Sequence, residues 1–312
     1  MAPRTIKLND GHQIPWIGFG TGTALFRKDA TQLVVQAIDN GINHLDGAQV
    51  YRNEDTLGLA IKESGKPRSE LFVTTKLNPG ETVNIKGTLE ESLRKLQLDH
   101  VDLFLVHSPH PANKEGKLQD VWRQMEEVQA AGLATSIGVS NFRVEDLEQI
   151  LQTAKVVPAV NQIELHPYVW DTARSIVEFG NEHGILTASY GGLTPIVRAP
   201  GGPVDPVIAS IRERLEKTRG EPVSAGQVLT KWLLQKGAIV ITYASLCKVQ
   251  AIASDLGLTL AYRTTSKVER IKEFLDAENL PDLEEKEILA IDNAGLKRHV
   301  RAFMHVVFGE TK

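Results

Sequence analysis

The stretch Ile42-Asn43-His44-Leu45-Asp46-Gly47-Ala48-Gln49-Val50-Tyr51-Arg52-Asn53-Glu54 opens as an apolar β-type run and closes on a helix-start pair. Asp46 ends the run, and Tyr51 follows five residues later. The same punctuation recurs downstream. Lys76 ends Leu71-Phe72-Val73-Thr74-Thr75, and His107 ends Val101-Asp102-Leu103-Phe104-Leu105-Val106. Polar residues that repeatedly terminate β-type runs point to one site built from the ends of several parallel strands. A phenol with a pKa of about 10 is a poor acid at neutral pH unless a cation stands beside it. Lys76 and His107 are the candidate cations, and Lys76 is expected to lower the Tyr51 pKa.

Reading outward, strand-like runs lie near 16–19, 42–46, 71–76, 101–107, 134–139, 157–163, 185–190 and 238–242. Helical periodicity fills the intervals near 30–40, 54–65, 86–97, 117–131, 144–153, 172–183 and 224–236, with another helix at 267–275. Asp29, Asn53 and Ser224 are placed to cap three of these helices. Alternating strands and helices of this number predict a single (β/α)₈ TIM barrel spanning residues 1–312. The additions are an N-terminal β-hairpin turning at Asn9-Asp10-Gly11, extra helices near 203–218 and 282–294, and a C-terminal tail. The tail, residues 296–308, either folds over the barrel mouth to line a substrate pocket or packs as an ordinary terminal segment. Active sites in this fold lie at the C-terminal strand ends. Asp46, Lys76 and His107 occupy three consecutive ends, Asn161 and Gln162 the sixth, and Tyr190 the seventh.

A Rossmann domain is the rival. Gly18-Phe19-Gly20-Thr21-Gly22 follows a strand, and Asp46 ends the next. The third glycine comes too early, however, and Thr23 to Lys28 separates it from any helix.

Bulk properties narrow the function class. The chain has 312 residues, 42% hydrophobic and 24% charged, with a formal charge of −4. That balance gives no electrostatic case for nucleic acid or an anionic membrane. A single cysteine, Cys247, excludes an internal disulfide framework and a cysteine-based metal site. No signal core or stretch of about 20 apolar residues is visible, so a cytoplasmic protein is expected.

Several motifs in order resemble the aldo-keto reductase family. Gly41 to Gly58 resembles its first signature. Lys76, His107-Ser108-Pro109, Ile137 to Phe142 and Asn161 to Tyr168 follow at the family's spacing. The Gly20-Thr21-Gly22-Thr23 and Tyr190-Gly191-Gly192-Leu193-Thr194-Pro195-Ile196 stretches look most like a fungal branch that reduces α-dicarbonyls. That branch includes conjugated polyketone (ketopantoyl lactone) reductases and α-keto amide reductases. The resemblance implies metal-free reduction of a small carbonyl compound with NADPH, by a monomer or weak homodimer. Tyr51 would be the proton donor, Lys76 and Asp46 would tune it, and His107 would orient the carbonyl. Ser140, Asn141 and Gln162 would hold the nicotinamide carboxamide, and Tyr190 would stack on its ring. Gly20, Thr21, Gly191 and Leu193, with Thr265, Ser266, Lys267, Arg270 and Glu273, would bind the rest of the cofactor. Ser108 and His110 would face the substrate. Taken singly, each residue has a plain alternative: a rim ion pair, a packing aromatic, a structural histidine. The matched set of Asp46, Tyr51, Lys76 and His107 favours chemistry.

Three departures from the family pattern stand out. Ser108 replaces a common Trp, and Gly191 replaces a Ser of the pyrophosphate loop. The third is an insertion, Tyr243 to Arg263, between strand eight and the last cofactor signature; Phe274 also replaces an Asn beside Glu273. Removing the insertion leaves a clean family-like join. It is either a retained intron in the gene model or a long loop at the cofactor face. In both cases a chain lacking 243–263 is expected to bind NADPH more tightly, and equal dissociation constants in fluorescence titrations would refute that. A cofactor-binding regulatory or structural protein with weak catalysis, on the same fold, is the alternative function.

Overall fold

The computed structural model describes residues 4–243 and 267–309. Most of the insertion, together with Thr265 and Ser266, lies outside the described residues. Two short strands, β1 (Thr5–Lys7) and β2 (Gln13–Pro15), form the expected antiparallel hairpin, with Ile6 opposite Ile14. Eight parallel strands then close a barrel: β3 (Ile17–Gly20), β4 (His44–Asp46), β5 (Phe72–Leu77), β6 (Val101–Val106), β7 (Ala134–Ser140), β8 (Val160–Glu164), β9 (Leu186–Tyr190) and β10 (Ile239–Tyr243). They run in sequence order, and β10 pairs with both β9 and β3. The eight runs expected as strands are the eight barrel strands, and the Rossmann alternative is excluded by closure.

Helices α1 (Thr31–Asp39), α2 (Glu54–Glu63), α3 (Ile85–Leu96), α4 (Leu118–Ala130), α5 (Val144–Leu151), α6 (Trp170–Glu182), α7 (Thr194–Val197), α8 (Val204–Arg219) and α9 (Ala225–Gln235) lie between strands. After the described part of β10 come α10 (Lys267–Asp276), α11 (Glu285–Gly295) and the short α12 (His305–Phe308). The helices α8 and α11 are the two expected extras. Among the described residues no helix is long and apolar enough to cross a membrane.

The period-two alternation of a strand explains why chemistry collects at one end. On β5, Val73 and Leu77 pack outward among helix residues such as Leu57, Leu89 and Leu93. Phe72, Thr74 and Lys76 take the opposite face. On β6, Phe104 and Val106 pack outward, and Leu103, Leu105 and then His107 take the inner parity. The inner face therefore begins apolar and ends polar. Its lower part holds Phe72, Leu103, Leu105, Val160, Ala188, Ile239 and Ile241, joined by Leu8 and Ile14 of the hairpin. The hairpin thus closes the N-terminal end of the barrel, where Asn9 Nδ2 also donates to the Pro158 carbonyl at 3.0 Å. Only the C-terminal end is left for a site.

The capping expectations fare unevenly. Ser224 accepts from Gln227 N at 3.1 Å in a reciprocal capping box. Asp29 is not the N-cap of α1, a position that Ala30 takes, but its Oδ1 accepts from Thr31 N at 2.8 Å from one residue before it. Asn53 occupies the N-cap position of α2 but makes no capping bond. Its buried amide instead donates to the carbonyls of Thr21 and Leu25, both at 2.9 Å. Two inward-facing loop carbonyls compete for the same donor, and Glu54 and Asp55 supply favourable charge at the helix start instead.

Candidate active site

Three adjacent strand ends meet around one buried ion pair. Lys76 Nζ donates to Asp46 Oδ1 at 2.6 Å and to the Gly47 carbonyl at 2.8 Å. Lys76 is 0% exposed and Asp46 2%. Gln162 Nε2, from β8, donates to the other carboxylate oxygen at 2.8 Å. Asp46 is thereby fixed by partners from two other strands. An ammonium has three donors, so Lys76 retains one beyond Asp46 and Gly47. Tyr51 lies on that side, with Nζ 5.1 Å from its ring centroid.

Tyr51 sits on a single helical turn, Gln49–Tyr51, between β4 and α2. Hydrogen bonds hold this turn from several directions. Gln49 Nε2 donates to Ser92 Oγ and to the Thr88 carbonyl, and Gln49 Oε1 accepts from Asn78 N. Arg27 N donates to the Tyr51 carbonyl, and Asn53 binds the loop after β3. Beneath Gln49, Ser92 and Thr75 donate to the buried carboxylate of Glu54. The Tyr51 ring lies edge-on to His107, with centroids 5.5 Å apart and planes at 82°. On another side it lies against Gly22: a Cβ there would come within 2.9 Å of Tyr51 Cζ. The sequence offered Gly22 only as part of a loop motif, and its closeness to the phenol emerges from the fold.

The electrostatics qualify one expectation and correct another. Burial is the largest influence on the Tyr51 phenol and raises its pKa. Lys76 pulls it down by charge, but Asp46 opposes that pull, and the net direction is upward. The cation lowers the phenol less than burial raises it because it arrives already paired. Burial likewise works to lower Lys76, yet the charges of Asp46 and Tyr51 and their hydrogen bonds together raise it. Lys76 is therefore the ammonium form at neutral pH. His107 is not a cation: burial, then the charge of Lys76, lowers it to about 3. As a neutral imidazole it carries one N–H donor and one acceptor, and its Nδ1 is buried without a hydrogen-bond partner among the described residues.

These shifts set an acid limit on stability. His44, which pairs with Thr74 Oγ1 at 3.0 Å deep in the barrel, is lowered by burial to about 4. Both histidines bind protons more weakly folded than unfolded. As pH falls below the ordinary 6.5, the unfolded chain therefore takes up protons first, and stability is lost from there down toward pH 3. Urea unfolding is expected to show a fall in stability between pH 6.5 and 5, above the range of ordinary carboxylates. Gln in place of both His44 and His107 should reduce that fall, leaving the part due to His166, which burial also lowers. A curve already flat in the unsubstituted protein would contradict it.

Around the pair lie the residues expected to face a cofactor. Ser140 Oγ donates to the Gln162 carbonyl at 2.7 Å. Asn141, at φ +62°, donates from Nδ2 to the His107 carbonyl and to Ser140 Oγ. Tyr190 OH donates to Asn141 Oδ1 at 2.6 Å. Asn141 thus has both amide donors committed inside the protein and keeps acceptor capacity on Oδ1. Gln162 keeps one amide donor beyond Asp46, and Ser140 Oγ keeps acceptor capacity. This donor and acceptor set, beside the half-buried ring of Tyr190, fits a carboxamide on a flat ring. Thr21 is buried and bonded to the Asp46 carbonyl through both N and Oγ1. Gly20 and Thr21 therefore sit at the base of the same mouth. Gly191, at φ +69°, and Leu193 lie in the loop between β9 and α7. Arg270 and Glu273 are half-buried on α10, which Lys267 begins. Phe274 is buried in the core, which accounts for an apolar residue there. Ser108 Oγ accepts from His110 N at 3.2 Å, so its hydroxyl ties the loop after β6.

Sequence reasoning missed Glu164. It ends β8 at the inner parity, two residues past Gln162, and is 1% exposed. Alternation alone would have placed it in the mouth, but beside His166 its partners are two amides of the distant tail: Ala302 N and Phe303 N donate to it at 2.9 and 3.0 Å.

Residues 16–295 match the model of the Aldo/keto reductase family. The NAD/NADP-dependent indole-3-acetaldehyde reductase of Schizosaccharomyces pombe is 39% identical over 302 residues, covering 94% of this chain and 96% of the relative. The NADPH-dependent alpha-keto amide reductase of Saccharomyces cerevisiae is 33% identical over 282 residues, 85% and 89% of the two chains. The crystal structure of a Bombyx mori aldo-keto reductase in complex with NADP superposes with a TM-score of 0.78 at 28% identity, covering 94% of this chain and 93% of that one.

Proposed function

Because the chain belongs to the aldo/keto reductase family, we propose that it reduces activated ketones, α-dicarbonyls above all, and aldehydes to alcohols with NADPH, Tyr51 donating the proton. The observation that carries this reading is the placing of the Tyr51 phenol between the Lys76–Asp46 pair and the neutral His107 at the mouth of a closed barrel. Relatives named for an α-keto amide and an aldehyde support the substrate class.

NADPH, when bound, would supply a hydride for the carbonyl carbon. Charge then grows on the carbonyl oxygen, and Tyr51 releases its proton there. A raised phenol pKa keeps that proton in place until the oxygen becomes basic. The N–H of His107 donates a hydrogen bond to the same oxygen and fixes its position. Lys76, held by Asp46, faces the phenolate left behind and stabilises it. Gln162, Ser140 and the free acceptor side of Asn141 would hold the carboxamide. Tyr190 would stack on the ring, removing orientational freedom before reaction. Gly20, Thr21, Gly191 and Leu193 would line the cofactor's path. Arg270, with Lys267, selects a 2′-phosphate by charge, and Glu273 lies beside them on the helix.

Saturable loss of NADPH absorbance with isatin or ketopantoyl lactone is the expected result, and no turnover with any activated ketone would defeat the reading. Gly22→Ala is a finer test. Its Cβ would displace the phenol carbon by several tenths of an ångström. Turnover should fall on the order of tenfold or more while NADPH affinity holds, since small misplacements cost rate steeply. Unchanged turnover would show that the ring has room to yield.

A further inference from the structure

We propose that Glu164 is a positioning residue that latches the C-terminal tail over the barrel mouth and so fixes Phe303 against Tyr190. The inference rests on the reductase reading for its kinetic consequence, but not for the latch itself. Glu164 is a buried carboxylate at a strand end, where a cofactor or substrate contact would be expected. Its oxygens are turned to the tail instead. Oε1 accepts from Ala302 N at 2.9 Å and Oε2 from Phe303 N at 3.0 Å. His166 Nε2 lies 3.0 Å from Oε1, and Arg301 Nη1 lies 3.9 Å from Oε2. Both neighbours are buried. One carboxylate thus gathers two consecutive tail amides, which fixes the backbone direction at Phe303.

The ring that this backbone carries is held on two further sides. Phe303 packs edge-on against Tyr190, with centroids 5.6 Å apart and planes at 77°. The Arg198 guanidinium lies 4.9 Å from the Phe303 centroid. Tyr190 in turn is pinned through its hydroxyl to Asn141. The chain of contacts therefore runs from Glu164 through the tail backbone to Phe303 and ends at the ring proposed to face the nicotinamide. Arg301 adds a second fastening, donating from Nη2 to Thr172 Oγ1 at 2.9 Å and lying 3.8 Å over the Phe308 ring. Glu164→Gln removes the charge and keeps only one carbonyl acceptor. Its amide would turn a donor toward a donating N–H, which opposes the closed tail.

The experiment uses the full chain. Amide exchange at Ala302 and Phe303 is measured in the unsubstituted protein and in Glu164→Gln. Protection in the former and loss of at least tenfold of it in the latter are expected. In steady-state reduction of isatin, Glu164→Gln should raise KM about tenfold with kcat within about threefold, and leave the NADPH dissociation constant within about twofold. Phe303→Ala, on the tail itself, should reproduce the KM rise, and the double variant should add nothing further. Equal exchange in both proteins, an unchanged KM, or NADPH affinity falling in step with KM would overturn the latch. Should Glu164→Gln not fold, an unchanged KM in Phe303→Ala overturns it equally. Absence of turnover in the unsubstituted protein would count against the reductase reading, and amide exchange would still decide the latch.

Discussion

Tyr51→Phe is expected to lose activity by about 10²- to 10⁴-fold, the range of a missing general acid, while NADPH binds as before. The substitution removes one oxygen and keeps the ring. The contacts that place the ring are its edge-on packing with His107, the closeness of Gly22 and the backbone bond from Arg27, and none uses the hydroxyl. Lys76 would lose its hydrogen bond to the hydroxyl, but Asp46 and the Gly47 carbonyl still hold it, and Gln162 still holds Asp46. Loss of turnover with intact cofactor affinity therefore isolates proton donation. Turnover within about threefold of the unsubstituted protein would pass the acid role to another group.

Asp46→Ala is expected to have the largest effect on stability. It would strand the Lys76 ammonium where no water reaches it, with Lys76 at 0% exposure. Breaking a buried pair by removing one partner costs about 3–5 kcal/mol, because the remaining charge is uncompensated. Gln162 would lose its acceptor as well. Urea unfolding at neutral pH should show a midpoint far below that of the unsubstituted protein, and turnover should fall with it as Lys76 is freed from its place beside Tyr51. A variant of unchanged midpoint would mean that solvent or another carboxylate reaches Lys76.

The architecture was legible because it depends on periodicity. Each strand run alternates an outward apolar residue with an inner one, and the inner parity ends in Asp46, Lys76, His107 and Tyr190, with Gln162 the last inner residue before Glu164 on its strand. Reading the last inner residue of each strand is nearly enough to list the site. Asn53 misled because a cap is a local inference, while its amide is claimed by the Thr21 and Leu25 carbonyls of another loop. Lys76 does pull the Tyr51 pKa down as expected, but the net rise was missed for a similar reason. A neighbouring cation can be read from spacing, but burial, and the carboxylate already holding that cation, belong to the folded chain. His107 as a cation failed on the same ground. Glu164 was missed because the amides it gathers lie more than a hundred residues away, on a tail whose sequence signals only a terminal segment. Gly22 carries no side chain to announce itself; its significance lies in what a side chain there would strike.

Hydride transfer itself offers the most direct test. Isatin is incubated with the protein and NADPH carrying deuterium at the transferable C4 position, and the hydroxy product is examined by mass spectrometry. A hydroxy product with one deuterium on the new carbinol carbon, formed by the unsubstituted protein and nearly absent with Tyr51→Phe, is the expected result. An unlabelled product, or labelled product formed equally well by both proteins, would contradict NADPH-dependent carbonyl reduction with Tyr51 as its acid.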